Sequence, residues 1–134
     1  MNEGDLSAFL ARPLTAVIGT LARDGAPHAV PVWYRFDGHA FTIWTDRQRA
    51  WVRHLRRDPR CTLTVAEHEP PFGAVLARGR AEIATGADTA PEIRRITERY
   101  VETGEVDAYI DSFRTLDTIV TVIPQVMRSW GRGY

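Results

Sequence analysis

Apolar and polar residues alternate through most of this chain, with helical spacing inserted at a few places. Val30, Val32 and Tyr34 alternate with Pro31, Trp33 and Arg35, the period of a strand with two unlike faces. Asp37-Gly38 supplies a hairpin turn. On the return strand Phe41, Ile43 and Thr45 face one way, Thr42 and Trp44 the other. Cys61, Leu63 and Val65 alternate with Thr62 and Thr64 in the same manner. Residues 15–22 read as an apolar strand that turns at Asp24-Gly25. Residues 74–84 read as a long strand with Gly79 as a bulge or bend. A last strand is expected over 116–123, ended by Pro124, with the tail from Gln125 to Tyr134 as an extended edge that frays.

Four segments carry helical spacing instead. Leu6, Phe9 and Leu10 form an apolar stripe over residues 5–12, which Pro13 ends. A basic helix is expected from about Arg47 to Arg57, capped by Asp46 and stopped by Pro59. Ile93, Ile96 and Tyr100 predict a helix over 91–101 that opens on Pro91, and 105–113 reads as a shorter one. Strands joined by short turns, with helices inserted and not alternating, point to a mainly β (α+β) fold: a small antiparallel barrel with peripheral helices.

At 134 residues the chain is read as one domain, 1–134, with the composition of an ordinary soluble protein. No apolar run approaches the ~20 residues of a membrane span, so no membrane partner is expected. The acidic start MNEGDLSAFLARP does not read as a secretory signal. The single cysteine, Cys61, fits a reducing cytoplasm. A net charge of zero argues against nucleic acid as the partner. The basic charge is nevertheless gathered, with Arg47, Arg49, Arg53, Arg56, Arg57 and Arg60 in one stretch. All 17 basic residues are arginine.

That gathering gives the chain its candidate chemistry. A helix N-terminus beside a sheet presents unpaired backbone N–H groups, which suit a phosphate. The helix dipole disfavours arginine there, so Arg47 and Arg49 become reasonable if an anion supplies the opposing charge; the plain alternative is a solvated helix face. Of Trp33, Trp44 and Trp51, at least one is expected in dry core, and Trp33 has the better claim to a site through its shared face with Pro31. His28, His39, His54 and His68 show no metal-ligand spacing. His28 begins the site strand, His39 sits in a turn, and His54 is expected at a surface or interface. No nucleophile motif or carboxylate pair is present, and no catalytic side chain is assigned.

The segments DGAPHAVPVWYRFDG, HLRRDPR, RGRAEI and VIPQVMRSW together resemble the flavin-binding split-barrel proteins, the relatives of pyridoxamine 5'-phosphate oxidase and the flavin/deazaflavin oxidoreductases. The resemblance runs from about Leu6 to Trp130. It implies a dimeric split barrel of six to seven strands with FMN or coenzyme F420 in a groove between subunits. By this resemblance Val30, Pro31, Val32 and Trp33 run along the ring system. Trp44, Thr45, Asp46, Arg49, Ala50 and Trp51 hold the phosphate end, and Phe72 approaches on the proline loop from the dimer interface. The implied activity is hydride transfer between cofactor and a small organic substrate; the alternative is a non-catalytic binder of a cofactor, haem or another tetrapyrrole. The chain departs from the family at the phosphate end. Trp51 stands where the family often has lysine, and Ala50 where the pyridoxamine oxidases have arginine. RSWGRGY also does not replace the C-terminal segment of those oxidases, so oxidation of pyridoxamine phosphate is not expected.

Overall fold

A computed structural model of the chain describes residues 1–133; Tyr134, the end of the expected tail, lies outside the described residues. Seven strands follow one another as β1 (Ala16–Leu21), β2 (Pro27–Val32), β3 (Arg35–Phe36), β4 (Phe41–Thr45), β5 (Arg60–Ala66), β6 (Ala74–Thr85) and β7 (Thr118–Trp130). Four α-helices accompany them: α1 (Glu3–Leu10), α2 (Ala50–Arg57), α3 (Ala90–Glu98) and α4 (Val106–Asp111). All pairs are antiparallel, in the order β2-β1-β5-β6-β7-β4-β3. The two outermost strands, β2 and β3, are consecutive in the chain, with only Trp33 and Tyr34 between them. A sheet whose edges are tied by two residues must curl on itself, and this one does so as a split barrel.

Alternation decides what fills it. Ala16 and Ile18, Phe41 and Ile43, Leu63 and Val65, and Val120 and Val122 are all fully buried in one cluster. Helix α2 adds Trp51, Val52 and Leu55 to that cluster. Each such aliphatic residue contributes on the order of 1.5–3 kcal/mol by leaving water. A second, smaller cluster of Ile93, Ile96 and Ile119 lies apart, with Trp33, Trp44, Tyr100, Ile110 and Leu116 packed against it. The segment between β6 and β7, which carries α3 and α4, supplies most of it.

Three expectations are corrected. The last strand does not end at Pro124 but runs on to Trp130. Pro124 faces Gly79 at a register shift in the β6–β7 ladder, where proline's missing N–H is tolerated. Gly79 is the expected irregularity, and the cause is contact: a Cβ there would stand 2.0 Å from the Ile123 carbonyl oxygen. The strand expected through Tyr34 and Arg35 breaks at Trp33-Tyr34. Tyr34 turns fully inward, and its hydroxyl donates to the Leu10 carbonyl at 3.0 Å. The basic helix begins at Ala50, not Arg47, with Arg49 as its cap residue. Among the described residues no helix is long and apolar enough to cross a membrane.

Candidate functional site

Between β4 and α2 the chain makes a turn that Asp46 organises. The Asp46 Oδ1 accepts from the Gln48 N–H at 2.8 Å, and its backbone carbonyl accepts from the Arg49 N–H. Asp46 therefore caps the turn in front of the helix and not the helix itself. Helix α2 has no side-chain cap. Its first helical bond is donated by Val52 to the Arg49 carbonyl, leaving the Ala50 and Trp51 N–H groups ahead of it. Arg49 leans back on Asp46, Nε to Oδ2 at 3.2 Å, while its side chain stays 62% exposed. Its Nη groups retain donor capacity for an anion.

The neighbouring arginines are committed elsewhere. Arg47 holds Asp117 through Nε at 2.9 Å and Nη2 at 2.6 Å, which ties the turn to the start of β7. Arg53 donates to the Gln48 carbonyl and Arg57 to the Leu21 carbonyl. These three arginines tie the turn and α2 to neighbouring parts of the fold.

From this corner a groove of about 690 Å³ extends along the β2 edge. Val30, Pro31, Val32, Trp33, Trp44, Thr45, Arg49, Ala50 and Trp51 all line it. Asp46 lines instead an adjoining pocket of about 250 Å³, which shares Trp44, Thr45 and Arg49 with the groove. Phe72 is in neither. It sits in the loop between β5 and β6, with a positive φ of 62° after the cis Pro70-Pro71 bond. Trp51 is the tryptophan that belongs to dry core, being 5% exposed, and forms floor more than cover.

Three lining residues, Thr15, His28 and Tyr109, were not assigned to the site from sequence. Tyr109 comes from α4, far along the chain, and no periodicity announces it. Trp33 lies between two tyrosines. Its ring stacks on Tyr100 at 4.5 Å with 2° between planes, and on Tyr109 at 5.3 Å with 24°. Two tyrosine rings are thus stacked against its indole. Trp44 meets Trp33 edge-on at 5.7 Å and Phe113 at 5.2 Å. The Trp44 indole N–H is buried with no hydrogen-bond partner among the described residues.

His28 and His54 are also joined. Their rings meet edge to face at 5.0 Å, and His54 Nδ1 shares a 2.9 Å hydrogen bond with Thr20 Oγ1. Burial, then the nearby His28, Arg57 and Arg53, depress the His54 pKa below the usual histidine range. His54 is therefore a contact between helix and barrel. Among the described residues no cluster of His, Cys, Asp and Glu suits a metal ion.

The arrangement offers an apolar, aromatic cleft at one end and anion donors at the other. Residues 3–126 match the sequence profile described as pyridoxamine 5'-phosphate oxidase. A conserved hypothetical protein from Mycobacterium tuberculosis superposes with a TM-score of 0.80 at 26% identity, over 97% of this chain and 84% of that one. An F420 reductase superposes at 0.66 and 21% identity, over 91% and 94% of the two chains. HutZ, the haem storage protein from Vibrio cholerae, does so at 0.76 and 14%, over 98% and 96%.

Proposed function

The chain belongs to the pyridoxamine 5'-phosphate oxidase family, and on that premise we propose that it is a flavin- or deazaflavin-dependent oxidoreductase. It passes a hydride between bound FMN or coenzyme F420 and a small organic substrate. The observation that carries this reading is the single groove that runs from the aromatic wall at Trp33 to the donors at the head of α2.

The residues present fit such a group. A flat ring suits the cleft beside Pro31 and Trp33, where main chain and aromatic edges offer contact without charge. A phosphate suits the far end, where the Arg49 guanidinium meets the free N–H groups of Ala50 and Trp51. Ala50 and Trp51 contribute backbone there, not side chain, so the loss of the family's basic residues at those positions leaves one cation. When bound, the cofactor supplies the hydride chemistry itself. The chain orients it, excludes water with its tryptophans, and supplies the anion's counter-charge. A homodimer is part of the proposal: Val17, Ile123 and Val126 are exposed on the barrel, and Phe72 is exposed on its loop. Titration with FMN and with F420, read by isothermal calorimetry, is expected to give saturable binding to one of them. Failure of both to bind sinks the assignment.

A second reading, a haem or tetrapyrrole binder, is favoured by one observation: His28, an iron-competent ligand, lines the same aromatic groove. Haemin titration with a Soret shift that His28→Ala removes would establish it in place of the first.

A further inference from the structure

A second cavity, of about 620 Å³, lies apart from the groove and shares only His28 with it. Gly19, Thr62 and Arg78 are register partners across β1, β5 and β6, and all three line it. Residues directly opposite in an antiparallel ladder share a face of the sheet. Glycine is required in that row: a Cβ on Gly19 would stand 2.4 Å from Thr62 Oγ1. In the next row Arg60 is opposite Arg80, and like charges so placed repel. Arg60 is relieved by Asp58, which accepts from its Nε at 3.1 Å and its Nη2 at 2.7 Å. Arg78 is exposed and has no side-chain hydrogen bond or ion pair among the described residues. Among the described residues no Asp or Glu lines the cavity. Leu21, Pro27, Ala29 and Val126 give it an apolar part.

A cavity with two guanidinium groups, no carboxylate and an apolar part selects for an anion on an apolar body. We propose that it is a binding site for a small organic phosphate monoester. The phosphate meets Arg78 and the remaining Nη1 of Arg60, and the body lies on Leu21, Pro27, Ala29 and Val126. Phosphate suits two cations better than a carboxylate does, because a monoester carries up to two negative charges near neutral pH. Its oxygens also match the planar donor fork of arginine. The site is independent of the oxidoreductase reading, since neither Arg49 nor the start of α2 lines it. A second copy of the chain set over the mouth would bury Arg78 without a counter-charge, which is costly. The ligand therefore enters beside a subunit contact and not under it.

The test is calorimetric titration of phenyl phosphate, benzoate, phenol and inorganic phosphate into the full chain and into two variants. Phenyl phosphate is expected to bind the unaltered protein at least about tenfold more tightly than each of the other three. Arg78→Ala is expected to weaken it by about tenfold or more, one charge-assisted contact. Arg49→Ala is expected to leave it unchanged. Arg78 is exposed and unpartnered, so its removal leaves the fold intact, and amide NMR shifts at Gly19 and Gly79 on adding phenyl phosphate locate the site. Absence of phenyl phosphate binding overturns the proposal. So does binding that Arg49→Ala abolishes and Arg78→Ala leaves alone, which places the phosphate at the head of α2. Equal binding of phenol removes the role of the anion, equal binding of benzoate removes the phosphate class, and equal binding of inorganic phosphate removes the apolar body; each of these also overturns it.

Discussion

The two ends of the groove are built by opposite means. At the aromatic end Trp33 is fixed by stacked rings, and the link that carries it is locked by Tyr34, Tyr100 and Arg99. The Arg99 guanidinium donates to the Tyr34 carbonyl at 2.9 Å and to the Leu10, Ala11 and Arg12 carbonyls at 3.1–3.3 Å. It thereby satisfies the open end of α1 and clamps it to the strand link. At the anion end the parts are an exposed arginine, an Asp46 turn and a helix start with no side-chain cap. The lesson is a division of labour. The first end is held by many part-buried contacts that share the same few residues. The second is ready for an anion because its donors are incompletely used, and it therefore adds little to stability.

That division can be broken at several points. The largest effect is expected from Tyr100→Ala, which removes a stacked ring and three hydroxyl contacts at once. Tyr100 is half-buried, so the cost is expected to fall below the about 3–5 kcal/mol of an aromatic truncation in a full core, read as a shift in the urea midpoint. Arg49→Ala touches the other end. It is expected to weaken FMN or F420 binding by about 10–100-fold, one charge-assisted contact, with the urea midpoint unchanged. If that substitution instead unfolds the protein, the two ends are not separable in the way described.

Smaller effects sharpen the picture. His54 has a folded-state pKa below its unfolded value, so the unfolded chain takes up more protons in the window between them. The stability it contributes is full above the ordinary histidine pKa of about 6.5 and is lost as pH falls through the depressed folded value. His54→Gln is expected to flatten that part of the stability–pH curve, measured by thermal melts from neutral to mildly acid pH. The smallest change belongs to Arg47→Ala. The Arg47–Asp117 pair is solvated, with the arginine side chain 59% exposed, so its removal is expected to alter stability by less than about 1 kcal/mol.

The strands were legible because each face of the barrel is either inside or outside, and a two-residue period records that directly. Phe41, Ile43 and Thr45 are buried while Thr42 and Trp44 are only half-buried, as the alternation requires. Boundaries were less legible where a contact from elsewhere decides them. Pro124 would end an isolated strand, yet β7 passes through it because Gln125 is the extra residue of a bulge there, opposite Gly79. Tyr34 continues the alternation on paper, but the carbonyls at the end of α1 draw it inward. Arg47 and Arg53 looked equivalent to Arg49 in a basic stretch, and only Asp117 and the Gln48 carbonyl separate them.

Composition, alternation and family segments were thus enough to specify an antiparallel split barrel and the strand, turn and helix that border the groove. Those signals are local, and local periodicity survives in a linear string. Which tryptophan is buried, which arginines pair with distant groups, and that Tyr109 stacks on Trp33 beside the groove are decided by the tertiary structure. The Arg47–Asp117 pair and the Trp33–Tyr109 stack join residues 70 and 76 positions apart, and no periodicity along the chain records such a meeting.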